Sequence, residues 1–367
     1  MTNMVGMVVT LMCAIMGVAL ISTGVEAQGK KPPATFILGD SLVDAGNNNY
    51  IFTLASANHK PYGIDRADKQ ATGRFCNGKI IPDLINEYIG TPSPLPVLAP
   101  EAKGANLLNG VNYASAGAGI LEETGSIFIG RVTMSQQFDY FQKTKDKIAQ
   151  IIGQPGTDEL INNAIYSFTI GGNDYVNNYL AATTSTKRKY TLPQFQDLLI
   201  NTFSGQLKTA YGLGMRKFIV SSIGPIGCAP SVLSSQSQGG ECVEEVNNYA
   251  IGFNAALKPM LIELQSQLPN SVFVYTNAYD VVMAIINDPI KYGFTDPVTT
   301  ACCGMGKYNG IDGACRSIGR LCDDRTKSVF WDAFHPTESV NKICSEQFLS
   351  GGLDVVSPMN VKQLLAM

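Results

Sequence analysis

Five short, largely apolar runs separated by helical-period segments constrain this sequence more than any other feature. They fall at 35–38, 111–113, 165–170, 218–222 and 272–275. Each is too short for a helix and reads as a strand buried on both faces. Between them, apolar residues recur at helical spacing. Phe138, Phe141, Ile148 and Ile151 form one such set, and Phe195, Leu198, Leu199, Phe203 and Leu207 a second that stops at Gly212 and Gly214. Val243, Val246, Ala250, Phe253, Leu257, Leu261 and Leu264 form a third. Strands alternating with helices predict an α/β fold with a parallel sheet covered on both faces. No linker or internal repeat interrupts the pattern, so 28–367 is expected to be a single domain.

In such a sheet, functional groups gather beyond the carboxyl ends of the strands. Three polar or glycine-rich motifs lie there. Gly39-Asp40-Ser41 follows the first run, Ala114-Ser115-Ala116-Gly117-Ala118-Gly119 the second, and Gly171-Gly172-Asn173-Asp174 the third. Only two histidines occur, and one closes Phe330-Trp331-Asp332-Ala333-Phe334-His335-Pro336. An Asp three residues before a His can orient the imidazole and stabilise its charged form. Ser41, Asp332 and His335 are thus the parts of an acyl-transfer triad. The backbone N–H groups of Ser41 and Gly117 and the amide of Asn173 are candidate oxyanion donors. Each residue has a plainer alternative. Ser41 can be a helix N-cap, Asp332 can cap a helix starting near Thr337, and the Gly and Asn residues can simply make turns. His59 reads as surface. Ile120, Leu121 and the run Ile127-Phe128-Ile129 are candidates for an acyl pocket or for core.

Several classes of function are excluded. The chain is 45% hydrophobic and 16% charged, with net charge −3 and no long run of either sign. That argues against nucleic acid as a partner and against a polybasic membrane anchor. Neither glycine cluster has the spacing of a dinucleotide fingerprint or a P-loop, and the G-x-S-x-G elbow is absent. No cofactor and no metal are expected.

Residues 1–27 read as a secretory signal peptide: Met1 to Val25 carry no charge, and Val25-Glu26-Ala27 resembles a cleavage site. A retained anchor is the alternative. Cleavage removes Cys13 and leaves eight of the nine cysteines, an even number bound for an oxidising compartment. Cys302, Cys303, Cys315 and Cys322 are expected in disulfides rather than on zinc, since no C-x-x-C pair occurs. Cys228 and Cys242 flank a loop and are expected to staple it. Eight cysteines allow about 105 connectivities, so the full pairing stays open.

The motifs together resemble the plant GDSL esterase/lipases of the SGNH hydrolase superfamily. Leu38-Gly39-Asp40-Ser41-Leu42-Val43-Asp44-Ala45-Gly46-Asn47-Asn48-Asn49 is similar to the family's first block, and Asn112 to Gly119 to its second. Gly171-Gly172-Asn173-Asp174 matches the third, and Asp332-Ala333-Phe334-His335-Pro336-Thr337-Glu338 the last. Gly-Pro-Ile-Gly-Cys at 224–228 and Cys302-Cys303-Gly304 match two further elements of the plant family. Ala116 stands where the family often has Gly, which leaves both Gly117 and Gly119 as candidates for the second oxyanion donor. The resemblance implies a flavodoxin-like three-layer α/β/α sandwich with a five-stranded parallel sheet in the order 2-1-3-4-5. It also implies a secreted, extracellular serine esterase or lipase of the apoplast or cell wall, acting on small-molecule or lipid esters. An acyltransferase with the same triad, or a secreted binding protein that kept the fold, are the rival functions.

Overall fold

The computed structural model describes residues 33–367 apart from 182, 312 and 314. The segment read as a signal peptide lies outside the described residues. Among the described residues nine strands form: β1 Thr35–Gly39, β2 Leu95–Pro96, β3 Val111–Asn112, β4 Ile165–Thr169, β5 Lys217–Ser221, β6 Val272–Thr276, β7 Cys303–Gly304, β8 Arg320–Leu321 and β9 Val356–Ser357. Seven make one sheet in the order β2-β3-β1-β4-β5-β6-β9, and β7 pairs with β8 separately.

The five strands expected from the sequence are β3-β1-β4-β5-β6, all parallel and in the order 2-1-3-4-5. The sheet is wider than the five strands expected. Parallel β2 and antiparallel β9 extend its two edges. Each is two residues long, too short for any alternation to show, and Pro96 is tolerated because β2 is an edge strand.

The two faces of the sheet differ. On one, Phe36, Leu38, Tyr166, Phe168, Phe218, Val220, Phe273 and Tyr275 join the main core. Helices α2 Met134–Asn163, α3 Leu192–Gly212 and α4 Glu244–Gln267 carry the residues that pack there. The α3 helix begins at a Thr191 cap whose N–H is held by the Gln194 side chain, and it buries Phe195, Leu199, Phe203 and Leu207 at i, i+4 spacing. The α2 run breaks at Gly153, with Pro155 just beyond, and Ile151, in the last turn before the break, faces solvent although the periodicity placed it inward.

The other face is covered by α1 Ile81–Ile89, α5 Ala278–Asn287 and α6 Glu338–Ser350. Its sheet residues are smaller: Ile165, Ser167, Ile219, Ser221 and Val274. A buried ion pair ties α1 to the loop after β1. Arg74 binds Asp83 through Nε at 2.7 Å and Nη2 at 2.8 Å, and donates Nη1 to the Ala45 carbonyl at 3.1 Å.

Three disulfides form, Cys228–Cys242, Cys302–Cys322 and Cys303–Cys315. The even count does not carry to full pairing: Cys76 and Cys344 are buried free thiols. Among the described residues no helix is long and apolar enough to cross a membrane.

Candidate active site

β1 ends in Gly39, and the chain turns immediately. A side chain at Gly39 would come within 2.1 Å of the Thr169 carbonyl on β4, so this close approach requires glycine. Asp40 accepts the Leu42 N–H at 3.0 Å and makes a tight turn that exposes Ser41. No helix follows, so Ser41 is not an N-cap. The Gly39 peptide is held by Gln137 of α2, which accepts from its N–H and donates to its carbonyl.

His335 reaches this turn from the far end of the chain. Its Nε2 lies 2.7 Å from Ser41 Oγ, and its Nδ1 lies 2.7 Å from Asp332 Oδ1. Asp332 also accepts the N–H groups of Phe334 and His335, both at 2.9 Å, and the Tyr62 hydroxyl at 2.8 Å. Burial by itself raises the Asp332 pKa. The charge of His335 and these hydrogen bonds outweigh it and hold the carboxyl below its ordinary value. Thr337, not Asp332, is the residue that begins α6.

The segment carrying Asp332 and His335 is fastened to the disulfide-bonded region. Cys302 and Cys303 donate their N–H groups to the Phe330 and Trp331 carbonyls at 2.9 and 2.8 Å. Trp331 N–H donates to the His335 carbonyl at 2.7 Å and closes the loop on itself. The two disulfides at 302 and 303 therefore brace the backbone one residue before Asp332.

Gly117 sits at φ +84 on the cavity wall beside Ser41, with Phe128 against its α-carbon. Among the described residues, the N–H groups of Ser41 and Gly117 find no protein acceptor. Gly119 lies off the cavity, packed on Thr124 and Asp174. Asn173 lines the cavity after β4; one amide N–H binds the Ala118 carbonyl at 2.9 Å, which leaves the second for a ligand.

A carboxylate and asparagine scaffold joins the first two motifs. Asp44 accepts the Ala116 N–H at 3.1 Å, Asn47 donates to the Asn112 and Ala114 carbonyls, and Asn48 donates to the Ala116 carbonyl. Asp174 accepts the N–H groups of Ile120 and Leu121 and fixes the loop beyond Gly119. Burial pushes the carboxyls of Asp44 and Asp174 up to about 6, against the pull of these N–H groups.

Tyr62 and Gln137 carried no sequence signal, because their partners lie 270 and 98 residues away. His59 is not simply surface: it is half-buried, lines the cavity and packs edge-on against Tyr62 at 5.2 Å. Of the apolar residues singled out, Ile127 and Phe128 line the cavity, Ile120 and Leu121 are core, and Ile129 is exposed.

Residues 36–348 match the family model described as GDSL-like lipase/acylhydrolase. The chain belongs to that family. It is 43% identical over 332 residues to the GDSL esterase/lipase LTL1 of Arabidopsis thaliana, covering 90% of both chains. It is 42% identical to the GDSL esterase/lipase At4g28780 of the same plant, covering 91% of both. The matched region contains β1, the Asn173 turn and the 330–336 loop, so the GDSL family's hydrolase chemistry on ester bonds extends to this chain.

Proposed function

We propose that the protein is a secreted serine esterase or lipase that hydrolyses carboxyl esters through an acyl-enzyme. The observation that carries this reading is the 2.7 Å approach of His335 Nε2 to Ser41 Oγ, with Asp332 on the opposite ring nitrogen. In the reactive tautomer, Nδ1–H donates to Asp332 and Nε2 is free to take the Ser41 proton. The Ser41 oxygen attacks the ester carbonyl as its proton passes to Nε2. The resulting oxyanion lies within reach of the Ser41 and Gly117 N–H groups and the second Asn173 amide proton. His335 then gives its proton to the leaving alkoxide, and the acyl group stays on Ser41. Water, deprotonated by the same nitrogen, releases the acid and restores the serine. No step calls on a metal or cofactor.

Secretion is supported by the apolar, uncharged leader and by the three disulfides. The mature protein is expected to start at Gln28, which N-terminal mass spectrometry of the exported protein checks.

A fluorophosphonate tests the chemistry directly. It is expected to label Ser41 stoichiometrically and to abolish hydrolysis of p-nitrophenyl esters, while Ser41→Ala takes no label and loses roughly 10⁴-fold or more in rate. Undiminished turnover in folded Ser41→Ala would remove the assignment.

A further inference from the structure

The cavity that opens at Ser41 does not stop at the triad. It has a volume of about 460 Å³ and runs behind His335 into the layer between the sheet and helices α1, α5 and α6. Its inner wall is made by Ser167, Ile219, Ile85, Val282, Cys344 and Phe348. Ser167 lies on β4, a central strand covered by helices on both faces, yet its side is partly accessible. The cause is volume. On the opposite face the same strands carry Tyr166, Phe168, Phe218 and Val220, which fill the space under α2, α3 and α4. On this face Ser167, Thr169 and Ser221 leave it empty.

The chemistry of the wall selects the occupant. The titratable groups that touch the cavity, Asp40, His59, Asp332, His335 and Arg316, come from the turn after β1, the stretch around His59, the triad loop and the disulfide-bonded region. The inner wall has none: its polar groups are the neutral Ser167, Ser221, Thr276 and Asn341, and the remainder is largely aliphatic and aromatic. A charged group would be desolvated there without a counter-charge, whereas a hydrocarbon chain gains by leaving water. A cavity of about 150 Å³ accepts a six-carbon ring, so this one accommodates on the order of a dozen or more carbons.

We propose that this cavity is the acyl-chain site. The fatty-acyl part of the ester passes from the carbonyl at Ser41 down between the sheet and α6, and its terminus lies against Cys344 and Phe348. The alcohol part stays at the mouth. The proposal rests on Ser41 as the nucleophile but makes a separate claim about where the chain lies.

The test uses hexadecanoic acid with a terminal diazirine, bound to Ser41→Ala and photolysed. Cross-links are expected on α6 peptides containing Val340 to Phe348, or at Ile85 and Val282. Cross-links at the exposed rim residues Phe52, Leu54 and Ile129, or none at all, would overturn the proposal. In parallel, Ser167→Leu should lower the ratio of kcat/KM for p-nitrophenyl palmitate over p-nitrophenyl butyrate by on the order of ten- to a hundredfold. An unchanged ratio in the folded variant would also overturn it. If Ser167→Leu does not fold, Val282→Phe narrows the same wall and replaces it in the ratio measurement, with the same outcomes. Failure of fluorophosphonate labelling would sink the nucleophile, whereas rim cross-links with normal labelling would sink only the acyl site.

Discussion

Gln137 grips the peptide of Gly39 from both sides, accepting its N–H at 2.9 Å and donating to its carbonyl at 2.8 Å. Gly39 stands two residues before Ser41, the proposed nucleophile, and α2 thereby sets the direction in which β1 delivers it. Gln137→Leu removes both bonds and leaves the Gly39 N–H unsatisfied, while the Ser115 N–H still donates to the Gly39 carbonyl. It should lower kcat by roughly 10- to 100-fold with little change in KM, since a displaced nucleophile impairs attack more than binding. A KM effect alone, in protein that still folds, would mean that Gln137 shapes the cavity instead.

The members of the proposed triad and oxyanion site should differ in cost. Asp332→Ala should slow turnover less than His335→Ala, because the carboxylate orients and stabilises the imidazole without exchanging protons with substrate. Asn173→Ala should lower kcat by roughly 10²-fold with KM nearly constant, as for a contact formed mainly in the transition state. Steady-state kinetics on a p-nitrophenyl ester separates these outcomes. Wild-type rates in both triad variants would mean that the 330–336 loop is structural.

The Arg74–Asp83 pair is buried, with both partners' side chains less than a tenth exposed. Arg74→Ala leaves Asp83 charged and unpaired and should destabilise the fold by about 3–5 kcal/mol. Urea unfolding of the two proteins measures this. A loss below about 1 kcal/mol, the range of surface pairs, would show that water replaces the guanidinium.

Burial pushes the thiols of Cys76 and Cys344 up to about 12, so neither is a thiolate at neutral pH. Ellman's reagent should find almost no reactive thiol in the native protein and two after denaturation without reductant. A third thiol on denaturation would mean that Cys13, and with it the leader, is retained. No thiol on denaturation would mean that Cys76 and Cys344 pair.

Asp40 adjoins Ser41, and burial pushes its carboxyl from the ordinary 3.8 up to about 7, against the pull of the Leu42 N–H. The folded protein thus keeps a proton that the unfolded chain has lost between these values. The stability linked to that proton is fully present below about 3.8 and is lost as the pH rises through about 7. Asp40→Asn preserves the acceptor for Leu42 and removes the titration, so its Tm should decline less between pH 4 and 7. Equal declines would show that Asp40 is already ionised in the fold at pH 4.

The five inner strands were legible because each is an apolar run bounded by turn residues, and their order followed from the family resemblance. Edge strands of two residues offer no period to read. The site was legible where residues are neighbours in sequence, as with Asp332 and His335, or sit at strand ends, as with Ser41 and Asn173. Tyr62 and Gln137 look like ordinary polar residues until the fold brings them to Asp332 and Gly39. The cavity was hidden for another reason. Ser167 and Ser221 lie inside runs that read as buried strands, and only the facing helices show that they bound a space. Cys76 and Cys344 show that an even cysteine count does not fix pairing.

Ser41 and His335 lie 294 residues apart, with strands β2 to β6 between them. In the proposed mechanism the nucleophile leaves the ribosome early during synthesis, and its base emerges only after the strands that hold it have passed. On that reading a nascent or truncated chain lacking 330–336 has a serine with no imidazole to activate it. The order of the polypeptide itself would then act as a timer, with esterase activity confined to chains translated past His335.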